Sequence, residues 1–255
     1  MTRLSTRICT LAAVLCLAAA PAHAGSPVPA AKNGHYVSNI QYTGGTGTGH
    51  TLAQIRWGDH RKFERIVLEF AGDPTGDDLP RMKVETEYYP MRLAIRLPGA
   101  PERGVSLFTD PAPFRKSSLI TRVDTFDVCG GGQLLSVVPA RPVEFEIFTM
   151  TNPPRLVIDI ILSRMDPMRE ETKYSMRTLP LYGDQVCILL DEAANVGITP
   201  RLITDANGNI FGELGLYDEA DKAFASAARL GETIGKQFTL QVKARGMMEA
   251  PAALP

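Results

Sequence analysis

Outside its first 24 residues the chain carries only three imidazoles, His35, His50 and His60, and any zinc site or histidine base would have to be built from them. All three precede residue 61, no His-Glu-x-x-His pair occurs, and none falls in the C-terminal third, so clustered zinc ligands are missing. A nucleophilic serine on a strained Gly-x-Ser-x-Gly turn is also absent. The 28 acidic residues offer many carboxylate pairs for glycoside cleavage, but solvated surface acids are their ordinary role. One local cluster, Trp57-Gly58-Asp59-His60-Arg61, has the groups to hold a sugar or a partner; as a fold element it reads as a turn between strands, with the indole packed and the charges solvated. The residues therefore describe a chain that is no enzyme and takes no cofactor or metal.

Charge narrows the partners. Arg3 and Arg7 precede an apolar run from Ile8 to Ala20, which ends at Ala22-His23-Ala24. This is the layout of a secretory signal peptide cleaved after Ala24, and the run is too short to span a bilayer. About 231 residues then remain, with 25 basic against 28 acidic side chains, a net charge of −3. That balance speaks against nucleic acid, while the signal peptide and the lack of any other spanning segment imply a periplasmic or secreted protein without stable membrane insertion. Of four cysteines only Cys129 and Cys187 would survive cleavage. An oxidising compartment permits a disulfide between them, but a helical position for Cys187 favours a buried free thiol.

The elements that must position any site begin with strands. Gly25 to His50, glycine-rich near its end, reads as a flexible leader; its glycines lack the Lys-Ser or Lys-Thr of a phosphate-binding loop. "RIVLEF" (65–70) and "RLVIDI" (155–160) share the order Arg, aliphatic, Val, aliphatic, acid, apolar, and "RLAIRL" (92–97) is a looser third copy. Arg155 and Asp159 are four apart and so share one strand face. Pro153 and Pro154 fix the entry to the last copy, stopping one strand and launching the next. Short strands with such punctuation predict a β-sandwich over 51–165.

The stretch "FEIFTMTNPPRLVIDI", with "ITRVDTF" and "FERIVLEF", resembles the AMIN domain, a β-sandwich of exported cell-wall amidases and secretins. The resemblance implies a module that localises its parent to peptidoglycan.

After a short charged linker at 166–172, residues 173–245 read as strand, helix, strand, Asn207-Gly208 turn, strand, helix, strand. Asp184 and Asp218 are natural N-caps, and "TLPLYGD" and "ELGLYDE" repeat Leu-x-Leu-Tyr at an offset of 35. This βαββαβ order predicts both helices on one sheet face and an open face opposite. The layout resembles a SPOR domain, which implies binding of septal peptidoglycan stripped of its stem peptides on that open face. Arg177, Thr178, Glu213 and Gln241 are the expected glycan-binding residues. Residues 246–255 read as a disordered tail.

The expected fold class is thus multidomain, an AMIN-like all-β sandwich followed by an α+β ferredoxin-like βαββαβ unit. The expected function is non-catalytic binding of peptidoglycan glycan strands in support of wall remodelling or division, with wall hydrolases or envelope complexes as further partners. The alternative is an adaptor subunit of a secretin or pilus assembly.

Overall fold

The computed structural model describes residues 26–47, 50–71, 79–98, 114–127, 129, 132–164, 171–205 and 207–249. The signal-peptide reading (1–24), most of the linker (166–170) and the end of the tail (250–255) lie outside the described residues.

Two sheets enclose the main core. One has six strands in the order β1 (Ser26–Pro27), β2 (Gln41–Gly44), β5 (Met82–Glu87), β6 (Arg92–Pro98), β8 (Gly132–Pro139), β7 (Ile120–Asp127). The other has four, in the order β3 (Thr51–Asp59), β4 (Glu64–Ala71), β10 (Arg155–Leu162), β9 (Val143–Met150). Alternation along β4 sends Ile66, Leu68 and Phe70 inward, and the antiparallel partner β10 matches them with Leu156, Ile158 and Ile160. Leu93, Ile95, Leu135 and Val137 face them from the six-stranded sheet. The described part of the stretch read as a flexible leader, 26–47, is folded: Ser26 and Pro27 pair with Tyr42 and Thr43, and Ile40 is buried in the core. Its polar composition hides this, because the ordering comes from pairing with strands far along the chain. Pro153 and Pro154 sit in the tight hairpin between β9 and β10, where Met150 pairs with Arg155.

A third sheet runs β12 (Arg201–Thr204), β13 (Ile210–Tyr217), β11 (Lys173–Thr178), β14 (Leu240–Arg245), with α1 (Gln185–Asn195) and α2 (Ala220–Gly231) against it. Leu189, Ala193 and Leu230 from the helices pack with Met176 and Leu214 from the sheet. Asp184 stands at the N-cap of α1 without a side-chain cap bond, and Glu219, not Asp218, precedes α2. The Asp218 carboxylate pairs with Lys173 instead. At the hairpin between β12 and β13, Gly208 has φ +83° and Asp205 accepts the amides of Asn207 and Asn209 at 2.8 and 2.9 Å.

This sheet does not stand alone. Leu202 on β12 packs on Ala94, Phe126 and Leu134, which lie on the outer face of the six-stranded sheet. Arg92 donates to the Leu202 carbonyl, Arg201 donates to the Tyr88 and Tyr89 carbonyls at 2.7 and 2.9 Å, and Arg122 donates to Thr204. Cys129, after β7, is disulfide-bonded to Cys187 on α1, with Cα atoms 5.5 Å apart. The free-thiol expectation is therefore corrected: sequence spacing could not show that the two elements meet.

The expected fold class, a sandwich followed by an α+β ferredoxin-like βαββαβ domain, is overturned. The described residues form one mostly-β stack of three sheets with two α-helices, and no free-standing α+β domain is evident. The physical reason is the polar face of the third sheet. It reads in sequence as a solvent-facing row, yet its charges find partners in the turn after β5 and in the C-terminal turn. The tail likewise folds back at residues 246–249: Met91 N donates to the Met247 carbonyl at 2.8 Å, and Met248 packs on the main core.

Two outcomes follow. The disulfide closes a loop of 58 residues, for which chain entropy gives about 4 kcal/mol; urea denaturation of Cys187→Ser should show a loss of that order. Burial pushes the Glu87 carboxyl up, but Arg92, Arg201 and Arg96 outweigh it and bring it from 4.5 down to about 2. Its contribution is present above pH 4.5 and is lost as pH falls toward 2. Urea midpoints of Glu87→Gln should therefore depend less on pH across that window, and an unchanged slope would refute the pairing.

Candidate functional site

The expected glycan platform is closed. Arg177 and Glu213 lie on the face of the third sheet away from the helices, at 4% and 2% exposure, and Gln241, paired with Arg177 across strands, is half-buried beside them. Thr178 belongs to the opposite face and accepts the Gly212 amide at 3.0 Å. Glu213 takes hydrogen bonds from Ser175 and Arg201. Arg245 lies 4.0 Å from Glu213, and its Nη1 reaches the Glu249 carbonyl at 3.3 Å. Burial, with Arg177 and Arg201 nearby, depresses the Arg245 pKa to about 10 despite the opposing pull of Glu213. This face joins parts of the fold and presents no platform to a polymer.

The open concavity lies on the outer face of the four-stranded sheet. Strand register sets it out as a grid. Across β3, β4, β10 and β9 one row reads Gln54, Glu69, Arg155, Met150; the next Arg56, Val67, Val157, Phe148; the third Gly58, Arg65, Asp159, Glu146. A groove of about 210 Å³ is lined by Arg56, Arg65, Arg155 and His60, with Val67, Val157 and Met150 as its apolar part and Gly58 contributing no side chain.

The internal repeat explains this chemistry. Arg-x-Val-x-Glu on β4 and Arg-x-Val-x-Asp on β10 run antiparallel with the valines opposed, so each arginine faces the acid of the other copy. Arg65 holds Asp159 through two bonds of 2.5 and 2.8 Å, and Arg155 donates to Glu69 at 3.1 Å. Arg56 joins Glu69 at 2.8 Å, and Lys32 joins Asp159 at 2.5 Å. The Arg65 guanidinium lies 5.1 Å from the Phe63 ring centre and 5.5 Å from that of Phe148. Asp159 is fully buried. Burial pushes its carboxyl up, but the bonds from Arg65 and Lys32 win and hold it below the usual range.

Of the Trp57–Arg61 cluster, Trp57, Gly58 and His60 line the groove. Trp57 packs against the core and donates its indole N–H to Glu64 at 2.9 Å. Glu64 also takes the amides of Ser118 and Leu119 at 2.7 and 3.1 Å, anchoring the chain before β7. His60 stacks on Phe63 with ring centres 4.9 Å apart and borders the groove. His35 and His50 are not among the groove residues, and among the described residues no group of three His, Cys, Asp or Glu side chains could hold a metal. Arg56, Arg65 and Val67 were missed as site residues; the repeat contained the signal for Arg65 and Val67, whereas Arg56 lies outside it on β3. What was lacking was the register that opposes its two copies.

Comparison with known proteins finds no matching family model and no matching curated protein.

Replacing Asp159 by Asn leaves Lys32 and Arg65 without their shared carboxylate. A loss of about 2–3 kcal/mol is expected in urea denaturation at pH 7; a change below 0.5 kcal/mol, the level of an ordinary surface substitution, would show that the cluster is not stabilising.

Proposed function

We propose that this is a non-catalytic, exported cell-envelope protein that binds peptidoglycan glycan and supports wall remodelling or division. The observation that carries this reading is the outer groove of the four-stranded sheet, where polar forks surround an apolar floor in a concavity open to a polymer. Sugars combine apolar ring faces with hydrogen-bonding edges, and both find partners there. The resemblance of β4, β9 and β10 to AMIN strands points to the same polymer. Export agrees with the signal-like start and with the Cys129–Cys187 bond, which is characteristic of an oxidising compartment.

The adaptor reading has its own support in Leu179, Tyr182 and Ile188, apolar side chains within one short stretch that are 39%, 66% and 41% exposed. Sedimentation with purified sacculi separates the two. Glycan binding predicts that the chain pellets and that Arg155→Met reduces the pelleted fraction severalfold. An adaptor predicts no pelleting and no effect of Arg155.

A further inference from the structure

The groove's arginines are only partly engaged. Among the described residues Arg155 uses Nε alone, on Glu69, and Arg56 uses Nη2 alone, on the same oxygen of that carboxylate. Arg65 is held differently, by Asp159 on two nitrogens and near the Phe63 and Phe148 rings, which leaves Nη1. Three guanidiniums thus border the groove on two carboxylates, and one of these, Asp159, is already shared with Lys32. Arg155 and Arg56 both line the groove with Val67 and Val157, which occupy the row between the ion pairs. A guanidinium fork recognises a planar carboxylate through paired N–H donors, and valines beside it suit the C–H face of a ring. At about 210 Å³ the groove is smaller than the ~300 Å³ lower end of pockets that enclose drug-sized ligands, which is the scale of one substituted sugar.

We infer that the groove recognises a carboxylate-bearing sugar residue, with Arg155 and Arg56 taking the carboxylate and Arg65 fixed as the rigid wall that orients it. This rests on the peptidoglycan reading, and it names the part of the polymer that is read. In that polymer the candidate group is the lactyl carboxylate of the muramic acid unit, free only where no stem peptide is attached. Carboxylates of the stem peptides are the other source of the same chemistry.

Isothermal titration of the chain from residue 25 onward tests the assignment with three probes: a disaccharide carrying N-acetylmuramic acid with a free carboxylate, the methyl ester of that disaccharide, and the free stem peptide. The acid should bind, the ester at least tenfold more weakly, as loss of a charge-assisted contact predicts, and the peptide not measurably. Arg155→Met should weaken the acid about tenfold and leave the ester unchanged, while Arg155→Lys recovers part of the loss. Equal binding of acid and ester, or preference for the peptide, overturns the inference. Sacculus pelleting with no acid–ester discrimination would leave the polymer reading standing and sink this one; acid-selective binding without pelleting would do the reverse.

Discussion

The pairing of β4 with β10 is the constraint on which the rest of the molecule depends. Each strand carries an arginine, a valine two places on and an acid two places further, and the antiparallel register opposes valine to valine. The outward row becomes two reciprocal arginine–carboxylate pairs around an apolar centre. The inward row becomes Ile66 and Leu68 against Ile158 and Leu156, fully buried. A slip of one residue would send both charged pairs into the core and the aliphatic row into water, so one choice of register sets the core and the groove together.

Around that pair the N-terminal segment acts as a clasp. Lys32 reaches Asp159, the amides of Asn33 and Gly34 reach Glu146 at 2.7 and 2.5 Å, and Val37 pairs with Phe145. These bonds supply the buried carboxylates with partners, without which their desolvation would be costly. They also steady Arg65 through its shared counter-ion. The bonds that complete the fold are thus the ones that shape the groove wall.

The third sheet is joined to the stack by a different kind of contact. Apolar packing there is limited to a small cluster around Leu202, whereas Arg92, Arg201 and Arg122 donate across to Leu202, Tyr88, Tyr89 and Thr204, Arg201 lies 3.5 Å from Glu87, and the disulfide supplies a covalent tie. A polar face is covered when its donors and acceptors meet partners of matching geometry, as the carbonyls of Tyr88, Tyr89 and Leu202 meet guanidiniums here. The C-terminal face that alternation alone would leave open is thereby covered, and the groove lies instead on the outer face of the four-stranded sheet.

By itself the sequence determined the strands of the Arg-x-Val-x-acid repeat, the two helices and the Asn207-Gly208 turn, because alternation, helical spacing and turn chemistry are local properties. It also placed Arg155 and Asp159 on one face, since strand parity follows from counting. Only the tertiary structure decided that Arg65 meets Asp159, that Cys129 meets Cys187, that the leader is folded over 26–47 and that Arg177 and Glu213 are buried. Each of these depends on which distant strand or turn comes to lie alongside, and a row of alternating polar residues has the same pattern whether water or another charged surface covers it.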